Sequence, residues 1–368
     1  MGIKCKEVIN FLEKMAPASL AEDWDNVGLL VGSPGKEIGR IMTCLDVTSS
    51  VVEEAIQKKA DLIVSHHPLI FKGLKRINED DPKGSIIYKL VKNDIAVYSS
   101  HTNMDMAEEG LNFYLATLLG LSDIKGLNTY KCNDLYKLVV FVPENSIDQV
   151  RDAICGSGAG WIGNYSDCSF AASGTGTFRP LEGTNPYIGT KGNLEKVNEY
   201  RLETIVPQIN LNRVLDAMLK AHPYEEVAYD LYKLEQPSKS YSLGNTGTLG
   251  APQTLEEFIS TVKNKLGIKS VRLIGKADRI KQVAVFCGSF DESFIRDFRK
   301  SGADVLVTGD IKYHIAMDMA DMGLCVIDAG HFATERIFVP WLAEKLSKEF
   351  QELDIICNTV ETDPIKIC

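Results

Sequence analysis

The stretch Ala60-Asp61-Leu62-Ile63-Val64-Ser65-His66-His67-Pro68-Leu69-Ile70-Phe71 decides the reading of the chain. Leu62, Ile63 and Val64 form a short apolar run, which reads as a buried strand. Pro68 lacks an N–H and has a fixed φ, so the strand must end there. Two adjacent imidazoles are therefore left at the C-terminal end of a strand, the edge where open α/β sheets bind ligands. Imidazole is the commonest metal ligand. His-His pairs also arise in loops by chance, so the pair needs carboxylates and a third histidine to mean more.

The stretch recurs. Ala303-Asp304-Val305-Leu306-Val307 matches Ala60-Asp61-Leu62-Ile63-Val64 almost residue for residue, and Thr308-Gly309-Asp310 stands where Ser65-His66-His67 stood. Around the first copy, residues 40–46 and 95–98 read as strands and 51–59, 85–92 and 110–119 as helices. Around the second, 282–287 and 325–328 read as strands and 292–300 and 338–350 as helices. In both copies a strand runs into a histidine with a carboxylate four positions later: His101 with Asp105, and His331 with Glu335. The expected fold class is α/β. Residues 1–127 and 251–368 form a discontinuous core domain of two similar halves, whose strand ends face a shared cleft.

Residues 128–250 then form an insertion. Strands at 136–142, 170–178, 200–206 and 227–234, with helices at 147–155 and 211–220, give the order β-α-β-β-α-β. That order predicts an α+β, ferredoxin-like inserted domain. Its Gly-rich connections contain neither a complete GxGxxG after a strand nor a GxxxxGK[ST] loop.

A length of 368 residues suits two or three domains. The net charge of −10 does not favour nonspecific nucleic-acid binding. No apolar run approaches the ~18 residues needed to span a membrane. Residues 3–15 read as an amphipathic helix rather than a signal peptide. Nine cysteines are scattered without a CxxC pair, as in a reduced, cytoplasmic protein.

The polar strand ends collect His66, His67, His101, Asp105, His331 and Glu335. On a helical turn, i and i+4 face the same way, so each His/carboxylate pair can present both groups to one point. Mixed nitrogen and oxygen ligands suit Zn, Fe or Mn better than Ca. The set is large enough for two divalent ions when one carboxylate bridges, an arrangement that serves hydrolysis. His314 is either a proton shuttle beside the cleft or a structural residue. His222, in Ala221-His222-Pro223-Tyr224-Glu225-Glu226, reads first as a turn residue capping a helix. Asp25 and Asn26 are either supports for the site or ordinary turn residues. Lys72, Lys75 and Arg76 either meet phosphates or form a solvated basic loop.

These residues carry a resemblance. Trp24-Asp25-Asn26-Val27-Gly28-Leu29, Ser65-His66-His67-Pro68-Leu69, Ser100-His101-Thr102-Asn103-Met104-Asp105, Thr308-Gly309-Asp310 with His314, and Asp328-Ala329-Gly330-His331 with Glu335 occur in order. The chain resembles the Nif-three-like family of dinuclear-metal, ring-forming hexamers, many of which carry the name GTP cyclohydrolase 1 type 2. The resemblance implies His66, His67, Asp105, His331 and Glu335 as ligands of a metal pair, with Glu335 bridging. It leaves His101 as a ligand or a supporting residue. It implies a homohexamer, and it makes the insertion similar to the ferredoxin-like domain of longer members, itself similar to small trimeric regulators.

Two functions are expected from this set. One is a metal-dependent hydrolase that opens the purine ring of GTP with release of formate, His101 or His314 moving protons. The other is a protein that holds, delivers or senses metal without a dedicated substrate. A purely structural assembly would explain the repeat but not the clustered ligands.

Overall fold

Apolar residues spaced three and four apart in the first segment form helix α1 (Cys5–Met15), which buries Cys5, Val8 and Leu12. The computed structural model describes residues 2–132, 134–236 and 239–366. The chain forms two compact units, one of Met1–Tyr130 with Tyr241–Cys368 and one of Lys131–Ser240.

After α1, the first half runs through β1 (Gly28–Val31), β2 (Arg40–Cys44), α2 (Ser49–Gln57), β3 (Leu62–Ser65), α3 (Pro82–Lys92), β4 (Ala96–Ser99), α4 (Thr102–Met106), α5 (Leu111–Leu118) and β5 (Leu121–Gly126). Thr48 starts α2 by accepting the Val51 N–H. Asp81 does the same for α3, with Pro82 in its first turn.

The unit Lys131–Ser240 contains β6 (Leu135–Pro143), α6 (Ile147–Gly156), β7 (Ser169–Phe178), β8 (Glu195–Pro207), α7 (Leu211–Ala221) and β9 (Tyr229–Leu234). Its sheet has the order β7-β8-β6-β9 and is antiparallel throughout. Val150, Ile154, Val214 and Met218 of the two helices pack on Leu138, Val140, Val142, Leu202 and Val206.

The second half continues through β10 (Asn245–Gln253), α8 (Leu255–Leu266), β11 (Arg272–Ile274), β12 (Ile280–Ser289), α9 (Ile295–Ser301), β13 (Val305–Gly309), α10 (Tyr313–Asp321), β14 (Val326–Asp328), α11 (His331–Glu335), α12 (Phe338–Glu349) and β15 (Asp354–Cys357). The compact unit Lys131–Ser240 is narrower than the insertion of residues 128–250 read from sequence. The reason is β10, which pairs with β12 and β5 and so belongs to the larger unit.

The fold is mixed α/β. In the larger unit, β2, β3 and β4 are parallel neighbours with β1 antiparallel at the edge, and β12, β13 and β14 are parallel neighbours with β11 antiparallel at the edge. The repeated aspartates do the same work in each copy. Asp61 Oδ2 accepts the Gly39 and Arg40 N–H groups, and Asp304 Oδ2 accepts those of Lys281 and Gln282. The strand after each copy's last helix crosses over. β5 joins the sheet of the second half through β10, and β15 pairs in parallel with β2 of the first.

Strand alternation sorts the core. Leu62, Val64, Ala96 and Tyr98 face the same cluster as Val283, Val285, Val305, Val307 and Ile327, together with α1, α5, α8 and α12. Ile63 and Val97 face α2 and α3 on one outer side. Ala284, Leu306 and Val326 face α9 and α10 on the other. The eight described cysteines are free, and Cys368 lies outside the described residues. No helix among the described residues is long and apolar enough to cross a membrane.

Candidate metal centre

The C-terminal ends of β3, β4 and β14 meet here. The ladder between β2 and β3 continues one step past the strand, because the His66 and His67 N–H groups donate to the Cys44 and Leu45 carbonyls at 3.2 and 2.9 Å. This backbone pairing fixes where both imidazoles leave the sheet. His101 lies two residues past β4 and caps the start of α4, which carries Asp105. His331 and Glu335 stand at the two ends of the single-turn α11.

The four groups from α11 and β3 converge. His67 Nε2 and His331 Nε2 each lie 2.9 Å from Glu335 Oε2, and His66 Nε2 lies 3.9 Å from Glu335 Oε1. Asp105 Oδ1 is 3.7 Å from His66 Nε2. The two short contacts are not aligned as hydrogen bonds. Glu335 Oε2, His66 Nε2 and Asp105 Oδ1 are all buried without a hydrogen-bond partner among the described residues. Gly288 makes room for this carboxylate: its φ is +67°, and a Cβ there would lie 2.1 Å from Glu335 Oε1.

Behind the rings, every Nδ1 is held. His66 Nδ1 donates to the Ser100 carbonyl at 3.0 Å. His67 Nδ1 donates to Asp46 Oδ1, His331 Nδ1 to Asp310 Oδ2 and His101 Nδ1 to Asp25 Oδ1, each at 2.9 Å. A carbonyl or carboxylate on Nδ1 fixes the ring and directs Nε2 to the open point, the pattern that supports metal-ligating histidines.

Burial pushes His66 down to about 3, so it is neutral at ordinary pH. Burial also opposes charge on His67, but the carboxylates of Asp46 and Glu335 outweigh it and hold this ring at about 10. Glu335, followed by the opposing effect of burial, sets His331 at about 9. Burial and then Glu335 raise Asp105 well above the usual carboxylate range. Burial would raise Glu335 as well, yet the histidines around it bring it far below that range. For Asp25, burial is outweighed by hydrogen bonds from His101 and Thr102, leaving it at about 2.

A divalent cation fits this set. The orphaned Nε2 and carboxylate oxygens are the atoms such an ion would satisfy, and unpaired buried polar atoms are costly. Two overlapping groups meet the requirement: His66, His67 and His101, and His67, His331 and Glu335, each with ligand atoms within 4.8 Å of one another.

The structure thus brings together His66, His67, His101, Asp105, His331 and Glu335. It leaves out His314, which is exposed on α10 with its ring against Tyr313. His222 is buried in the other unit, where its Nε2 donates to the Phe141 carbonyl and its Nδ1 accepts the Tyr224 N–H. Asp25 supports His101, and Asn26 ties its loop to the Ile70 carbonyl. The roles of Asp46 and Asp310 went unread in the sequence, although each follows a strand end. Also unread was the surface beside His101. Trp24 is 57% exposed and Phe71 is 45% exposed, yet they pack on each other at 5.6 Å and against the His101 ring at 6.0 and 6.4 Å. On the His67 and His331 side lies a cavity of about 450 Å³ bordered by Asp46, Arg272 and Asp310. Arg272 pairs there with the buried Asp328.

The family model described as Duf34/NIF3 (NGG1p interacting factor 3) matches residues 3–364. The chain belongs to the Duf34/NIF3 family. A relative from Halalkalibacterium halodurans, named GTP cyclohydrolase 1 type 2 homolog, is 45% identical over 362 residues and 97% of each chain. A relative of the same name from Bacillus subtilis is 43% identical over 99% of this chain and 98% of its own. The crystal structure of a Bacillus cereus protein related to NIF3 matches with a TM-score of 0.84 and 41% identity over 100% of both chains.

Proposed function

We propose that this Duf34/NIF3 protein is a dinuclear metal-dependent hydrolase acting on a nucleotide, of the GTP cyclohydrolase type. The single observation that carries the reading is the set of orphaned buried atoms, His66 Nε2, Asp105 Oδ1 and Glu335 Oε2, aimed into one space. His66, His67, Asp105, His331 and Glu335 would hold two divalent ions of the Zn, Fe or Mn kind, with the Glu335 carboxylate shared between them. When bound, such ions supply Lewis-acid activation of water and of the electrophile.

The chain's own residues do the rest. Asp25 holds His101 by Nδ1 at 2.9 Å, leaving Nε2 free to take or give a proton beside the ligands. His314, the other candidate shuttle, is exposed on α10. Trp24 and Phe71 offer a stacking surface for a purine ring. Lys72, Lys75 and Arg76 follow Phe71 on an exposed loop and suit phosphates. The cavity of about 450 Å³ is within the usual range for small-molecule sites. The relatives' printed name, GTP cyclohydrolase 1 type 2 homolog, agrees with ring opening and formate release. We further take the protein to be a cytoplasmic homohexamer with a ferredoxin-like insert; the free cysteines suit that compartment.

The test is incubation of metal-loaded protein with GTP, following formate by NMR and loss of guanine absorbance. Turnover that disappears in Glu335→Gln supports the reading. No turnover of GTP or any other nucleotide by protein carrying two metal equivalents overturns it. A second reading, metal handling, is favoured by the partial exposure of the His331 side chain at 34% against 0% for His66. Release of metal to a chelator within minutes would favour that reading.

A further inference from the structure

The unit Lys131–Ser240 holds a cavity of about 410 Å³ that the metal chemistry does not use. Its floor is Glu199 on β8, which is only 9% exposed. Glu199 Oε1 accepts the Tyr224 hydroxyl at 2.9 Å. Among the described residues, no hydrogen bond reaches Oε2.

The space over this carboxylate depends on Gly176 of the neighbouring strand β7. A Cβ at 176 would lie 1.9 Å from Glu199 Oε2. The walls are aromatic. The Tyr224 ring lies 5.9 Å from Phe178 at 59° and 6.1 Å from Tyr187 at 53°. These three tilted rings and the carboxylate line one cavity, with Glu225 and Glu226 also in its lining.

We propose that this cavity binds a small organic cation bearing N–H donors, an alkylammonium or diamine. Glu199 Oε2, which no protein donor occupies among the described residues, accepts the ammonium N–H groups in charge-assisted hydrogen bonds. The Phe178, Tyr187 and Tyr224 rings take the methylene chain and the spread positive charge on their faces. Glu225 and Glu226 provide for a second amine. Arg179 also lines the cavity, but its guanidinium is exposed and donates to the Gly192 carbonyl. The selection is therefore for a cation over a neutral chain of the same length. Nothing in this proposal rests on the hydrolase reading, and its test leaves the metal centre untouched.

The test is calorimetric titration of the full-length, metal-loaded protein with 1,4-diaminobutane, beside tetramethylammonium and 1,4-butanediol. Saturable binding of the diamine at about millimolar affinity or better is expected, with both controls at least tenfold weaker. Glu199→Gln, which keeps the shape, should weaken the diamine at least tenfold with metal content unchanged. The exposed pair Glu225→Gln and Glu226→Gln should weaken it about threefold and guards against misfolding of the floor variant. No binding of the diamine, equal binding of either control, or full affinity in a folded Glu199→Gln protein would each overturn the proposal.

Discussion

His67 Nε2 stands 2.9 Å from Glu335 Oε2, although one residue ends a strand of the first half and the other ends a helix of the second. The contact lacks hydrogen-bond alignment, as does that of His331 Nε2 at 2.9 Å from the same oxygen, which has no hydrogen-bond partner among the described residues. Both atoms look toward a third party. Glu335→Gln combined with His66→Ala is therefore expected to abolish stoichiometric metal while the fold survives. Elemental analysis of untagged protein, with circular dichroism as the folding control, measures both. Full metal content in this variant would place the metal elsewhere.

Metal uptake should be strongly pH-dependent. The metal-free protein holds His67 at about 10 and His331 at about 9, so both carry a proton at neutral pH. Both protons must leave before the rings can act as ligands. Affinity therefore rises with pH below about 9 and levels off above about 10. The two imidazole protons alone correspond to about a hundredfold per pH unit, and Asp105, raised by burial and by Glu335, steepens the slope further where it still carries its proton. Chelator competition at three pH values across the neutral range reads the slope, and a flat profile would exclude these rings as ligands.

Asp46 and Asp310 hold ring nitrogens without facing the cluster's centre. Asp46→Asn or Asp310→Asn should weaken metal binding by about 10–100-fold, the usual effect of losing a ring-orienting carboxylate. His331→Ala, by contrast, should remove a ligand outright. Titration of metal into the apo variants, with a colorimetric indicator as competitor, separates the two grades of loss.

The Phe338 ring is fully buried and lies 5.1 Å from the His66 ring. Phe338→Ala removes packing from the central core and should cost about 3–5 kcal/mol. Denaturant melts measure this cost. Metal affinity should also fall, since the His66 ring loses one of its walls. A loss below about 1 kcal/mol would mean that the core refills the space.

Much of this arrangement was legible because its residues are chemically constrained. Asp61 and Asp304 recur since each must satisfy two backbone N–H groups of the strand beside it. His66, His67, Asp105, His331 and Glu335 could be collected because all stand at strand ends or one turn beyond. Other features left no pattern. Asn245–Gln253 contains two glycines and a proline and lacks clean alternation, so a strand of the larger unit passed for the end of the insertion. Asp46 looked like the close of a strand; only three-dimensional pairing shows it under the His67 ring. His314 lies in a family-like segment, but helical geometry turns it to solvent.

The exchange of final strands between the halves bears on how the protein is made. On the ribosome the first half emerges early, with β2 already able to pair with β3. The other edge of β2 has to wait for Asp354–Cys357, which follow the whole of the second half through α12. Until then the nascent chain displays an unpaired parallel edge, the kind of surface that recruits wrong partners. Completion of the first half thus waits on the making of the second, and a chain that stops short of Asp354 keeps this edge open.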